Sequence, residues 1–275
     1  MRELIHVQNQ NLLNTPALQS PGVVGAATRE YFEAGWLPGP TAPTISREEV
    51  HLWRIDLTLA DAVDFDALND EELQRAARFH FEQDRIRFKV ARGALRTILG
   101  RYANLLPDAL EFCQNEYGKP FLTNPRAAGL HFNLSHSKDI ALLAVTRERE
   151  VGIDIEFMRP DFATKEVADH FFSSAEVATL AGVERRLKTR AFFNCWTRKE
   201  AYIKARGEGL SLALDSFDVS LKPGQPAALL NTRLDSADVS RWSLHELFPV
   251  AGYAAAVAVE RCASPPRMRH FSFAD

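Results

Sequence analysis

Apolar and polar positions alternate through "VHLWRIDL", Val50–Leu57, the period-two signature of a half-buried strand. "NDEELQRAARF" follows, with Asn69 or Asp70 as a helix cap and acids in the first turn. The spacing then turns helical from about Glu82 to Tyr102. "LEFCQNEYGKPFL" reads as a strand entering a turn at Gly118, and "LHFNLSHSKDIALLAVT" as two strands around a polar turn at Ser135–Asp139. The second half repeats this order. "VGIDIE", "FFSSAEVATL", "RRLKTRAFFNCWTRKEAYIKARG", "LDSFDVSL" and "WSLHELFPVAGYAAAVAVE" answer the five first-half segments in turn, offset by about a hundred residues. The pattern predicts an α+β fold of two similar lobes packed as a pseudo-dimer.

Residues 1–48 are expected to form an irregular N-terminal arm. The prolines of "LPGPTAPT" push their predecessors out of helical space, and Tyr31, Phe32 and Trp36 are candidates to pack across the core. Residues 49–148 are the N-terminal lobe, 149–262 the C-terminal lobe, and 263–275 a tail. Seams between lobes are favoured places for ligands, and "VGIDIEFMRP" opens the second lobe at the seam.

Composition narrows the function. The chain is 46% hydrophobic and 25% charged, which is ordinary for a globular protein. A net charge of −3 supplies no global basic field, so nucleic acid is not expected as a partner. Cys113, Cys195 and Cys262 are widely spaced, which argues against a disulfide framework or structural zinc and for a reducing compartment. No secretory h-region is visible, and no apolar run approaches the ~20 residues a membrane span needs. The expectation is a cytoplasmic protein with no membrane partner.

The candidate chemistry begins in "VGIDIE". On a strand, Asp154 and Glu156 share one face while Ile153 and Ile155 take the other. Paired carboxylates repel unless a cation neutralises them, and oxygen ligands suit Mg²⁺ or Mn²⁺. The same spacing also fits the wet face of an amphipathic strand. In "AFFNCWTRKEAYIKARGEG", Glu200 falls on the apolar stripe of Phe192, Cys195, Trp196 and Ile203, with Lys204 four residues on. A surface Glu–Lys pair fits this spacing. A carboxylate on a buried stripe, however, calls for a charged partner or a metal, which favours a third ligand or base with a lysine reaching for phosphate.

Ser135 and His136 are adjacent and so point to opposite strand faces, which argues against a nucleophile–base pair. His136 reads as a donor to an anion or as a satisfied core histidine. Lys119, just past Gly118, reads as a phosphate ligand or a solvated charge. Arg75, Arg78, Arg85, Arg87, Lys89, Arg92 and Arg96 gather positive charge in the first lobe, to pair with Glu71, Glu72, Glu82 and Asp84 or to meet a polyanion.

"VGIDIE" followed some forty residues later by "WTRKEAYIKARGEGL" resembles the paired signature of the 4′-phosphopantetheinyl transferases, and "NEYGKP" and "FNLSHS" match the two preceding family motifs in order. The resemblance spans about Val50 to Val259 and is to the larger, monomeric type that activates peptide and polyketide synthetases. It implies two lobes related by pseudo-twofold symmetry, with coenzyme A and Mg²⁺ in the cleft between them. It also implies transfer of 4′-phosphopantetheine from coenzyme A to a serine of an apo acyl or peptidyl carrier protein, releasing 3′,5′-ADP.

Carried over by motif, Asp154, Glu156 and Glu200 would be metal ligands, and Glu200 also the base, directly or through a water. Lys204 would contact the phosphates and aid the leaving group. Lys119, Ser135, His136, Arg75, Asp154 and Lys204 would bind the coenzyme, Arg75 at the 3′-phosphate. The family often carries a second basic residue where this chain has Glu72, so Arg78 or Arg87 is a candidate substitute. Phe162–Leu180, with Phe171 and Phe172, is a candidate carrier-docking surface or else lobe core. The competing readings are another Mg²⁺-dependent phosphoryl transferase or nucleotide hydrolase, though no G-x-x-x-x-G-K-[ST] loop occurs, and a non-catalytic coenzyme-A-binding protein.

Overall fold

Backbone pairing turns the first alternating segment into the centre of a sheet. The computed structural model describes residues 35–273. β1 (Leu37–Pro38) is a short edge strand, and β2 (Glu49–Asp56) buries Leu52, Trp53 and Ile55. α1 (Asp70–Ala77) starts at a capping box in which Asn69 and Glu72 satisfy each other's backbone N–H groups. α2 (Glu82–Ala103) stops where Asn104 turns left-handed at φ 52°. Its apolar face, Val90, Ala94, Leu95 and Ile98, packs on Trp53, Ile55, Leu143 and Val145.

β3 (Phe112–Gln114) and β4 (Pro120–Leu122) form a small hairpin. β5 (Leu130–Ser137) and β6 (Ile140–Arg147) complete a five-stranded sheet of order β1-β12-β2-β6-β5, in which β12 is Arg267–Ser272.

The second half follows a similar order of elements, with two additional short helices. β7 (Val151–Phe157) is followed by α3 (Lys165–Phe171), α4 (Ser174–Ala181) and the long α5 (Lys188–Arg206). α4 starts at a second capping box, Ser173 with Glu176. β8 (Phe217–Val219) and β9 (Leu229–Thr232) form a hairpin, and α6 (Asp238–Arg241) leads into β10 (Trp242–Leu247) and β11 (Tyr253–Glu260). The three-stranded sheet has the order β10-β11-β7, the counterpart of β5-β6-β2. The two sheets meet through Leu52, Leu142 and Ala144 on one side and Ile153, Ile155 and Val257 on the other. The fold is mixed α+β.

Within the segment expected as a tail, Arg267–Ser272 form a strand. β12 returns to the first sheet and lies parallel between β1 and β2. Without it the β2 edge would expose a row of unpaired backbone groups, and Phe271 would lose its contact with Trp53 (ring centroids 5.0 Å apart). The turn foreseen at Ser135–Asp139 is tighter: β5 runs through Ser137, and Lys138, at φ 49°, makes the reversal. In the arm, Trp36 packs edge-on to His270 and beneath Arg54, while Tyr31 and Phe32 lie outside the described residues. Among the described residues no helix is long and apolar enough to cross a membrane. Cys113, Cys195 and Cys262 are all free.

Candidate active site at the seam between β5 and β7

β5 and β7 belong to different sheets, yet they run side by side in parallel and are tied by side chains. Asn133, Ser135 and Ser137 alternate along β5 and so face one way. Asn133 Oδ1 accepts the Ile153 N–H at 2.8 Å. Ser135 Oγ donates to Asp154 Oδ1 at 3.0 Å, and Ser137 Oγ donates to Glu156 Oε2 at 2.9 Å. Ser137 Oγ also accepts the Phe157 N–H at 3.0 Å. These contacts replace a backbone ladder across the seam and fix the two carboxylates.

α5 supplies the opposite wall. It lies directly on β7 because residue 152 is glycine: a Cβ there would stand 2.2 Å from both the Ala201 carbonyl oxygen and the Ala205 nitrogen. This approach brings Lys204 Nζ to 2.6 Å from Asp154 Oδ1 and 3.0 Å from Ser135 Oγ. Glu200, one turn earlier, is half-buried. Two oxygens here, Asp154 Oδ2 and Glu200 Oε1, are buried with no hydrogen-bond partner. Such oxygens are costly unless something pairs with them.

The electrostatics follow from this crowding. Burial, reinforced by the Asp154 charge, raises the Glu156 carboxyl well above the ordinary carboxylate range, although Ser137 opposes it. Burial also raises Glu200, with Lys204 opposing and Asp154 adding to the rise. Burial alone would lower Lys204, but Asp154, Glu200 and Glu156 together hold it above the usual lysine value.

The three acids are neighbours without closing on one point: among the described residues, no three His, Cys, Asp or Glu side chains form a ready metal cluster. Like charges in proximity repel, and here the Lys204 ammonium neutralises Asp154.

A basic rim borders the acids. His136 keeps a solvent-accessible face. Its surroundings hold its imidazolium below the usual value, first by desolvation and then through the charges of Lys204, Arg75 and Arg87. Arg75 is exposed on α1, with its guanidinium over the Phe88 ring. Arg87 is committed to Asp84 and Asp139, whereas Arg78, the residue after α1, is exposed. Glu72 is buried and paired with Arg92 and Arg96. It is an internal ion-pair and capping residue, which explains an acid at that position.

Lys119 does not join the carboxylates. Its ammonium donates to Glu150 Oε2 (2.7 Å), the Val151 carbonyl (3.1 Å) and the Ala205 carbonyl (3.1 Å). All three of its donors are therefore spent pinning the β3–β4 hairpin to β7 and the end of α5. Phe172 is core, while Phe171 is partly buried and packs edge-on against Trp196. Sequence reasoning passed over Asn133, Ser137 and Gly152. The i, i+2, i+4 spacing of "NLSHS" carried the signal for the first two, while nothing local marked the third.

Two family models match the chain: the 4′-phosphopantetheinyl transferase superfamily over residues 150–258, and the 4′-phosphopantetheinyl transferase N-terminal region over residues 60–148. The chain is 40% identical over 240 residues to the 4′-phosphopantetheinyl transferase HetI of Nostoc sp., covering 86% of this chain and 98% of that one. It is 34% identical over 154 residues to the 4′-phosphopantetheinyl transferase Sfp of Bacillus subtilis, covering 56% and 66%. A crystal structure of Thermotoga maritima holo-[acyl-carrier-protein] synthase aligns with 41% of this chain and 62% of its own, at a TM-score of 0.33 and 20% identity.

Proposed function

The chain belongs to the 4′-phosphopantetheinyl transferase superfamily, and from that premise we infer that the β5–β7 seam is where coenzyme A gives up its phosphopantetheine to a carrier-protein serine. The single observation that carries this reading is the contact of Lys204 with Asp154 and Ser135, beside two buried carboxylate oxygens that lack partners.

Oxygen-only donors and orphaned carboxylate oxygens fit a hard divalent cation. Asp154, Glu156 and Glu200 would hold Mg²⁺, with Mn²⁺ an acceptable substitute. When bound, the cation spreads the negative charge that builds on the coenzyme's pyrophosphate.

The remaining work falls to the chain's own groups. Glu200 takes the proton of the acceptor serine, directly or through a water. The serine oxygen bonds to the β-phosphorus as the bridging bond to 3′,5′-ADP breaks. Lys204, already held at the acids, donates hydrogen bonds to the departing phosphate. His136 and Arg75 line the approach, where their N–H groups suit the coenzyme's other phosphates. The recurrence of β2-β6-β5 as β7-β11-β10 supports a pseudo-twofold pair of lobes, so a single chain supplies both walls and acts as a monomer.

Intact mass of apo acyl and peptidyl carrier proteins, incubated with the protein, coenzyme A and Mg²⁺, tests the reading. One phosphopantetheine is gained per carrier, and the gain disappears with EDTA. Unchanged carriers across the panel, or nucleotide hydrolysis without carrier modification, overturn it.

A further inference from the structure

β5 presents two hydroxyls to β7, and each meets one carboxylate. Ser135 donates to Asp154 and accepts from Lys204. Ser137 donates to Glu156 and accepts from the Phe157 backbone. A hydroxyl has one hydrogen to give and lone pairs to receive. The Phe157 N–H occupies a lone pair of Ser137, so its hydrogen is directed at Glu156. Glu156 Oε2 is thereby fixed against β5.

The Lys204 contact couples Ser135 to the α5 wall, but Ser137 has no such link: both of its partners lie on β7. The side chain that fixes Glu156 thus comes from the other sheet, and its own orientation is set by the β7 backbone one residue further on.

We propose that Ser137 is a positioning residue for the transfer reaction: it orients Glu156 so that the carboxylate meets the divalent cation, and it locks the spacing of β5 and β7 on which that meeting depends. The inference rests on the cation reading above and deepens it. Groups that hydrogen-bond a metal ligand commonly govern metal affinity by ten- to a hundred-fold when removed. Ser137 stands in that relation to Glu156 as Ser135 does to Asp154.

Ser137→Ala, Ser137→Thr and Glu156→Ala are compared with wild type on the full-length protein. Two readouts are used: Mn²⁺ binding by electron paramagnetic resonance in the presence of coenzyme A, and the Mg²⁺ concentration giving half-maximal transfer. Ser137→Ala weakens Mn²⁺ binding and raises the half-maximal Mg²⁺ by about ten-fold or more, and Ser137→Thr, which keeps the hydroxyl, restores both.

A merely structural role lowers the melting temperature of Ser137→Ala and leaves the metal dependence of its folded fraction at wild-type values; that result overturns the proposal. So does a Ser137→Thr protein as impaired as Ser137→Ala. If wild type itself needs no divalent cation, or Glu156→Ala leaves Mn²⁺ binding intact, the parent reading of the acids fails.

Discussion

Gly152 and Ala201 stand so close across the β7–α5 interface that a single added methyl at residue 152 would lie 2.2 Å from the Ala201 carbonyl oxygen. Backbone cannot rotate away as a side chain can. Gly152→Ala must therefore push α5 off β7 and carry Glu200 and Lys204 away from Asp154. Overpacking of this kind costs about 1–3 kcal/mol. The expected result is a lowered melting temperature together with a transfer rate that falls further than the loss of folded protein explains. Calorimetry and carrier mass spectrometry on the same preparation check it.

Glu200→Gln separates chemistry from stability. Its Oε1 is buried without a partner, so the neutral amide removes a desolvated charge and leaves the melting temperature unchanged or raised. The transfer rate falls by about a hundred-fold or more, as loss of a general base does. Near-wild-type turnover in this variant would remove Glu200 as the base.

The acids also predict how Mg²⁺ acts on stability. Burial lets folded Glu156 and Glu200 hold their protons to higher pH than the unfolded chain does. The metal-free protein therefore has their full contribution below the ordinary carboxylate range and loses it as pH rises toward their raised folded values. Cation binding requires the deprotonated forms. Added Mg²⁺ thus raises the melting temperature more at about pH 8 than at about pH 6. A shift independent of pH, or none at all, contradicts the assignment.

On the acid side His51 acts in a different window. It is buried on β2, with Nδ1 2.7 Å from the Tyr102 hydroxyl. Burial pushes its pKa down to about 4 from 6.5, although Glu49 opposes the shift. The folded histidine stays neutral while the unfolded one takes a proton, so stability present above about pH 6.5 is lost as pH falls toward about 4. Urea midpoints for His51→Gln should vary less over that window than those of wild type.

Lys119 supplies a contrast between two roles. As a clamp on Val151, Ala205 and Glu150, it should reveal itself in Lys119→Met as a stability loss of about 1–3 kcal/mol, with the coenzyme A dissociation constant little changed. Calorimetry paired with isothermal titration distinguishes this from a phosphate ligand, whose loss weakens coenzyme binding at unchanged melting temperature.

Most elements were legible because their cause is local. The period-two run at Val50–Leu57 became β2, Asn69 became a helix cap, and the run from Glu82 became a 22-residue helix. The acids and Lys204 were also legible: D-x-E on a strand and E-x-x-x-K on a helix fix which face each charge occupies whatever the chain does elsewhere.

The fates of Glu72, Lys119 and β12 were not legible. Glu72 pairs with Arg96, 24 residues on; Lys119 reaches a carbonyl 86 residues on; and β12 joins a strand more than two hundred residues before it.

The amino-acid sequence by itself therefore determined the family, most of the order of elements and the faces on which the candidate charges lie, because period, capping and motif spacing act within a few turns of chain. Only the tertiary structure decided which charges meet. Gly152 sets the distance between α5 and β7, and Asn133, Ser135 and Ser137 set the β5–β7 seam. Such contacts depend on the close packing of backbones that are distant in sequence, a property no local window contains.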